Sequence, residues 1–200
     1  MKFFVDTANI EDIEKLIPTG FVDGVTTNPS LIAKQGADMA ETIKNICSIV
    51  NGPVSAEVTA TEFTKMLEEG EYLASLAKNV AVKVPLTVDG LKTCKSLREK
   101  GIMVNVTLCF SAAQALLAAK AGASFISPFV GRLDDVGEKG MDLIEDIVIM
   151  YENYAFETEV LVASIRTKQH VIDSAVIGAH VATLPPKVIY ELYDHSLTDK

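Results

Sequence analysis

The chain alternates between two hydrophobic rhythms. Short runs rich in Val, Ile and Phe are each followed by a stretch whose apolar residues recur every three or four positions. The first pattern is that of a buried strand and the second that of an amphipathic helix. Lys2-Phe3-Phe4-Val5 reads as a strand ending at Asp6. Asn9 then caps a helix with Ile10, Ile13, Leu16 and Ile17 on one stripe, stopped by Pro18 and Gly20. Gly24-Val25-Thr26-Thr27 is a second short strand running into Asn28-Pro29-Ser30. One helix carrying Met39, Ile43, Ile46 and Val50 follows, ended by Asn51-Gly52-Pro53. The third strand, Val54 to Val58, contains Glu57, and its helix begins near Thr61 with Phe63, Met66 and Leu67. The fourth strand is Val80-Ala-Val-Lys-Val84, followed by Pro85, and its helix runs from near Thr87 to Gly101.

The second half repeats the scheme. Met103 to Cys109 is a strand holding Asn105 and Thr107. Ser111 and Gln114 form a capping box for an alanine-rich helix that ends at Gly122. Strand six, Phe125 to Val130, leads through Gly131-Arg132 into a long helix with Leu143, Ile147, Met150 and Tyr154. Strand seven, Glu159 to Ser164, leads through Ile165-Arg166-Thr167 into a helix ended by Gly178. Strand eight is His180 to Leu184, and Pro185-Pro186 opens a last short helix. Alternating strands and helices imply parallel strands with right-handed crossovers. Eight such units without a linker predict an α/β fold of one domain over residues 1–200, a closed (β/α)8 TIM barrel. An open doubly wound sheet would carry a glycine-rich turn after its first strand, where this chain has Asp6-Thr7-Ala8-Asn9.

Composition narrows the function. Hydrophobic residues make up 48% and charged residues 22%, as in an ordinary soluble globular protein. A formal charge of −9 argues against non-specific nucleic acid binding, which needs a basic face. An anionic substrate then requires a local cation. Met1-Lys2 leads straight into a strand, so no signal peptide is expected. The apolar stretch Ala112 to Val130 is broken by Lys120 and by Gly and Pro, so no membrane span is expected either. Cys47, Cys94 and Cys109 are too few and too scattered for a zinc cluster, and reduced cytosolic thiols are expected.

The polar residues near the strand ends carry the chemistry. Active sites of such barrels lie at the C-terminal ends of the strands. Those ends hold, in order, Asp6, Asn28, Glu57, Lys83, Thr107, Ser127 with Arg132, and Ser164 with Arg166. Each has an ordinary explanation by itself: a helix cap for Asp6 or Asn28, a surface position for Glu57 or Lys83, β-propensity for Thr107 or Ser164, and a loop salt bridge for either arginine. Together on one face they describe a different object. A lysine turned into the barrel is desolvated, which favours the neutral amine that attacks a ketone to form an imine. Asp6 and Glu57 can move the protons, and two arginines can hold a phosphate through forked hydrogen bonds. This is a class I aldolase-type site for a phosphorylated sugar. No Asp/Glu/His spacing suggests a metal, and no serine sits in a nucleophile elbow.

Asp6-Thr-Ala-Asn, Gly24-Val-Thr-Thr-Asn-Pro-Ser-Leu-Ile32, Val82-Lys-Val-Pro85, Asn105-Val-Thr107, Ile126-Ser-Pro-Phe-Val-Gly-Arg132 and Ala163-Ser-Ile-Arg166 resemble transaldolase. The resemblance spans the whole chain and is to the short microbial subfamily that includes fructose-6-phosphate aldolase. It implies that Lys83 is the Schiff-base lysine and Asp6 the acid/base on the ketose C4 hydroxyl. It further implies that Glu57 assists imine formation through a water held by Thr107. Thr26, Asn28, Ser127 and Phe129 are implied as substrate contacts, with Arg132, Ser164 and Arg166 on the phosphate. No cofactor is implied, and the expected location is cytoplasmic. The family's aldolases carry glutamine and tyrosine where its transaldolases carry glutamate and phenylalanine. Glu57 and Phe129 therefore favour a transaldolase moving dihydroxyacetone between sugar phosphates in the non-oxidative pentose phosphate pathway. An aldolase and a catalytically silent sugar-phosphate-binding barrel are the alternatives. Relatives continue past the equivalent of Leu197-Thr-Asp-Lys200 with a helix that packs across a neighbouring subunit. The family resemblance implies a homo-oligomer, a pentamer or decamer.

Overall fold

Strands covered on both faces should be apolar on both, and departures from that rule mark where a barrel interior becomes a site. A computed structural model describes residues 1–36 and 38–198 of the chain. Eight parallel strands close in chain order: β1 (Lys2–Asp6), β2 (Gly24–Thr26), β3 (Val54–Glu57), β4 (Val80–Pro85), β5 (Met103–Cys109), β6 (Phe125–Pro128), β7 (Glu159–Val162) and β8 (Val181–Leu184), with β8 pairing back onto β1. The helices are α1 (Ile10–Leu16), α2 (Pro29–Gln35), α3 (Met39–Ile49), α4 (Phe63–Leu76), α5 (Val88–Glu99), α6 (Ala112–Lys120), α7 (Val130–Asp135), α8 (Gly140–Asn153), α9 (Lys168–Ile177) and α10 (Pro186–Glu191). The expected (β/α)8 barrel is the fold. No helix among the described residues is long and apolar enough to cross a membrane.

Register sorts the side chains into two populations. Phe4 lies opposite Gly24 and Thr183, Asp6 opposite Thr26, Ser55 opposite Ala81, and Glu57 opposite Lys83. Because successive side chains of a strand face opposite ways, these residues share the inner face. Lower in the barrel that face is apolar: Phe4, Ala81, Phe125, Leu161 and Val181 form a compact cluster with Met103 against it. The Phe4 and Phe125 rings meet edge-on, with centroids 5.7 Å apart. Gly24 makes room for this packing, since a Cβ there would stand 2.6 Å from the Phe4 ring. The larger cluster lies between strands and helices, where Val5, Val25, Val82, Val104 and Val160 meet Ile13, Ile43, Leu73, Leu97 and Ile147.

The helix starts follow the local chemistry. Asn9, Asn28, Asp38, Thr87, Ser111 and Thr167 each turn a side-chain oxygen back to an amide of the first turn. At α6 the Ser111 hydroxyl takes the Gln114 amide, while Gln114 Oε1 takes the amide of Phe110 instead of that of Ser111.

Three sequence readings are corrected. The single helix expected after the second strand is two, because Gly36 ends α2 at φ +65° and Asp38 caps α3 afresh. The sixth strand stops at Pro128, and Val130 opens α7, its amide donating to Ala163 O at 3.1 Å. Arg132 therefore stands on a short helix, separated from α8 by a turn at Gly137 with φ +82°. The seventh strand stops at Val162, and Ser164 adopts φ +58°, a left-handed conformation and not a strand one. The chain end at Leu197–Lys200 falls partly on Asp199 and Lys200, which lie outside the described residues.

Candidate active site

Above the apolar packing the inner face turns polar within one pleat. Asp6, Thr26, Asn28, Lys83, Thr107, Ser127, Phe129, Arg132, Ser164 and Thr183 line a cavity of about 160 Å³, with Leu161 and Ala163 completing its wall. A wider cleft of about 460 Å³ adjoins it. The cleft shares Asn28, Lys83, Thr107, Phe129 and Arg132 and adds Glu57, Ser30, Lys34 and Leu108. Inner chamber and mouth both lie at the C-terminal end of the barrel, the end expected to carry function.

Lys83 is at the centre. It is buried to 7% relative exposure, and the register that sets it opposite Glu57 brings its Nζ to 2.9 Å from Glu57 Oε2. The same ammonium donates to Thr27 O at 3.3 Å. The surface reading of both residues is thereby excluded. Thr107 lies on the next strand with its Oγ1 buried and without a hydrogen-bond partner among the described residues. A buried hydroxyl is costly to leave unpaired, so Thr107 is suited to hold a bound water or a substrate oxygen.

Asp6 faces Lys83 across the chamber. Its Oδ1 accepts a 2.7 Å hydrogen bond from the Thr26 hydroxyl, and Asn9, not Asp6, caps α1. Burial pushes the Asp6 carboxyl above its ordinary value. Thr26 and the Lys83 charge pull it back, and the Glu57 carboxylate adds to the upward push. The result is a carboxyl more basic than a free aspartate, the direction a general base requires.

Asn28 fills two roles. Its side chain accepts from the Leu31 amide at 2.9 Å, capping α2, while the residue lines both chamber and mouth. Ser127 donates to Asn105 Oδ1 at 2.7 Å, and Asn105 Nδ2 donates to Ser55 at 3.1 Å. This buried chain ties β3, β5 and β6 together beside the lysine, whose register partner on β5 is Asn105. Phe129 closes the rim, with Arg132 stacked over its ring at 4.9 Å and Phe110 at 5.8 Å between centroids. Leu108, beside Thr107 in the β5 bulge, takes φ +61°. With Ser164, two of the strained residues thus lie at the site.

One expected member stands apart. Arg166 does not line the chamber. It is exposed and forks onto the Asp135 carboxylate at the end of α7, with Nη2 to Oδ2 at 2.6 Å. The loop-salt-bridge reading describes its contacts here, and the pairing holds the Asp135 carboxyl below its ordinary value. His170 makes a parallel tie, its Nε2 3.1 Å from Asp134 Oδ2. Conversely, the sequence reading assigned no role to Thr183 or Ser55, both buried on the inner face. Their signal was available only as strand parity: Thr183 lies two residues beyond Val181, and Ser55 two before Glu57. Burial pushes the nearby Cys109 thiol up to about 11. No group of three or more His, Cys, Asp or Glu side chains able to hold a metal occurs among the described residues.

A family model described as transaldolase/fructose-6-phosphate aldolase matches residues 3–200. Relatives named "Probable transaldolase" are 65% identical in Ruegeria sp. (strain TM1040), over all of this chain and 92% of that one. In Rhodospirillum centenum the figure is 63%, over all of this chain and 87% of the relative. In Novosphingobium aromaticivorans it is 65%, over all of this chain and 92% of that one. A barrel with its amine and two carboxylates at one mouth, matched by that model over nearly its whole length, belongs to the transaldolase/fructose-6-phosphate aldolase family.

Proposed function

We propose that the protein is a transaldolase, moving a dihydroxyacetone unit from fructose 6-phosphate or sedoheptulose 7-phosphate to erythrose 4-phosphate or glyceraldehyde 3-phosphate. The observation that carries the reading is the Lys83 amine, enclosed in the barrel 2.9 Å from Glu57 and sharing one chamber with Asp6. The neutral amine attacks the ketose C2. Glu57 takes and returns the protons that let water leave the carbinolamine, with Thr107 holding that water. Asp6 then removes the C4 hydroxyl proton, the C3–C4 bond breaks, and the electron pair moves onto the imine to give an enamine on Lys83. The incoming aldehyde takes the same route in reverse: its carbon bonds to the enamine and its oxygen receives the proton from Asp6. Thr26, Asn28 and Ser127 hold the three-carbon unit. Arg132, with Ser164 and Arg166, meets the phosphate at the mouth.

Phe129 favours transfer over simple cleavage. A phenyl ring at the rim offers no hydroxyl to hold or activate a water against the enamine, so the intermediate waits for an acceptor. The family resemblance further supports a homo-oligomer of barrels, each a single domain, acting in the cytoplasm on the non-oxidative pentose phosphate pathway.

The test has two parts. Borohydride with fructose 6-phosphate should trap a covalent adduct on Lys83, and Lys83→Met should remove the adduct and the turnover while leaving the circular dichroism spectrum intact. Sedoheptulose 7-phosphate should accumulate only when erythrose 4-phosphate is supplied. Sustained release of free dihydroxyacetone without acceptor would assign the aldolase activity instead, and no adduct at all would leave a sugar-phosphate-binding barrel.

A further inference from the structure

The inner face of β8 contributes a residue that the reaction scheme above does not use. Thr183 is buried to 3% exposure, lines the chamber, and sets its Oγ1 2.6 Å from Thr26 Oγ1. Thr26 in turn lies 2.7 Å from Asp6 Oδ1. The two threonines stand on the strands either side of β1 and meet around the aspartate.

Counting hydrogens gives the arrangement a direction. Two oxygen–oxygen contacts join the three side chains, and each contact takes one hydrogen. With Asp6 ionised, the two hydroxyl hydrogens fill both contacts: Thr183 donates to Thr26, and Thr26 donates to Asp6. With a proton on Asp6 Oδ1, three hydrogens compete for two contacts. Asp6 must then donate to Thr26, Thr26 must turn to donate to Thr183, and the Thr183 hydrogen is left over. No proton moves between the threonines; only their hydroxyls rotate. A proton on Oδ2 would leave both contacts in place, but a neutral carboxyl is the weaker acceptor, so in either case the chain is strongest on the carboxylate. Hydrogen-bond chains also polarise one another, so the outer donor strengthens the inner one.

We infer that Thr183 is a positioning residue that acts through Thr26 to keep Asp6 available as the base. The inference rests on the reading of Asp6 as acid/base. Thr183 works against the burial that raises the Asp6 carboxyl. The other charged groups acting on that carboxyl are Lys83 from β4, which favours the anion, and Glu57 from β3, which opposes it; Arg132 from α7 also lines the chamber. None of the three changes with the Thr183 hydroxyl.

The experiment compares Thr183→Val, which keeps the shape and deletes the hydroxyl, with Thr183→Ser, which keeps the hydroxyl and deletes the methyl. The pH dependence of kcat is followed for sugar-phosphate transfer. The same variants are titrated by infrared spectroscopy of the protonated carboxyl band, assigned by its loss in Asp6→Asn. Thr183→Val should move the acid limb and the carboxyl band together to higher pH by about half a unit, and Thr183→Ser should leave both in place. Thr183→Ala provides a second hydroxyl deletion if the valine variant is poorly folded, with the same expected shift. An unmoved band in the hydroxyl deletions overturns the inference, and so does an equal shift in Thr183→Ser, which would mark a packing role. The reading of Asp6 fails separately, if Asp6→Asn retains turnover.

Discussion

Adding one methyl group at Gly24 tests how firmly the apolar packing supports the site above it. In Gly24→Ala the new Cβ would stand 2.6 Å from Phe4 Cε1 and 2.6 Å from Pro53 O, about 0.8 Å inside the 3.4 Å at which ordinary contact begins. Neither neighbour is free to retreat. The Phe4 ring is fully buried and locked edge-on against Phe125, and Pro53 O accepts the Val25 amide at 2.9 Å in the first bond between β2 and β3. Overpacking of this kind costs about 2–3 kcal/mol, which in a domain of this size lowers Tm by about 5–10 °C. Gly24 and Phe4 each sit two residues before a site side chain, Thr26 and Asp6. Spreading the strands should therefore loosen the Asp6–Thr26 bond, and kcat should fall severalfold at temperatures where the variant is folded. Phe4→Leu alone should cost about 1–2 kcal/mol by lost volume. Combined with Gly24→Ala it should cost less than the sum by about 1 kcal/mol, since the ring that clashes has gone, while the clash with Pro53 O remains. Denaturant melts of the four proteins give the coupling directly. Additivity within about 0.5 kcal/mol would refute the account.

The remaining predictions concern charge and the rim. Asp6 has a raised folded-state carboxyl, so its ionisation opposes folding: the cost is absent below the unfolded carboxylate range, grows as pH rises toward the folded value, and is full above it. Asp6→Asn should consequently abolish turnover yet raise Tm, by a margin that widens with pH; a lower Tm at pH 8 than wild type would contradict this. Asp135→Asn releases Arg166 from its forked partner, and KM for fructose 6-phosphate should fall about two- to fivefold. An unchanged KM would mean that Arg166 never reaches the phosphate. Phe129→Tyr places a hydroxyl at the rim and should raise release of free dihydroxyacetone from fructose 6-phosphate without acceptor, a result read by coupled reduction of that product; no release would remove Phe129 from the control of transfer.

Much of the fold is local and so was legible. Each strand is a short apolar run, and Asn9, Thr87, Ser111 and Thr167 announce their helices by side-chain caps that the structure contains. The misses have local causes too. Val130 is β-branched and follows a strand, yet its amide is taken by Ala163 O on a neighbouring segment, a partner that no propensity encodes. Ser164 looked like a strand end because serine tolerates one; its backbone is instead left-handed, and its carbonyl takes the Gly131 amide of α7 at 3.1 Å. The chemistry divides the same way. Lys83 and Glu57 stand at matching positions on successive strands, so parallel pairing alone brings them together. Arg166 is the opposite case: its loop position suggested the chamber, but the acidic end of α7 offers a nearer anion, and only the folded arrangement reveals that competition. Thr183 escaped because threonine in a strand is ordinary, and its meaning depends on two other strands.

The packed rings of Phe4 and Phe125 have a kinetic consequence. Among the described residues they close the barrel beneath the chamber, which makes it a blind well entered past Phe129 and Arg132. In the reaction proposed above both substrates need Lys83, and they cannot stand there together in a chamber of about 160 Å³. The first product must climb out before the second substrate descends, with the shared fragment left tethered at the bottom. Taking turns is built into the shape of the vessel, and parallel lines in double-reciprocal plots are its signature in solution.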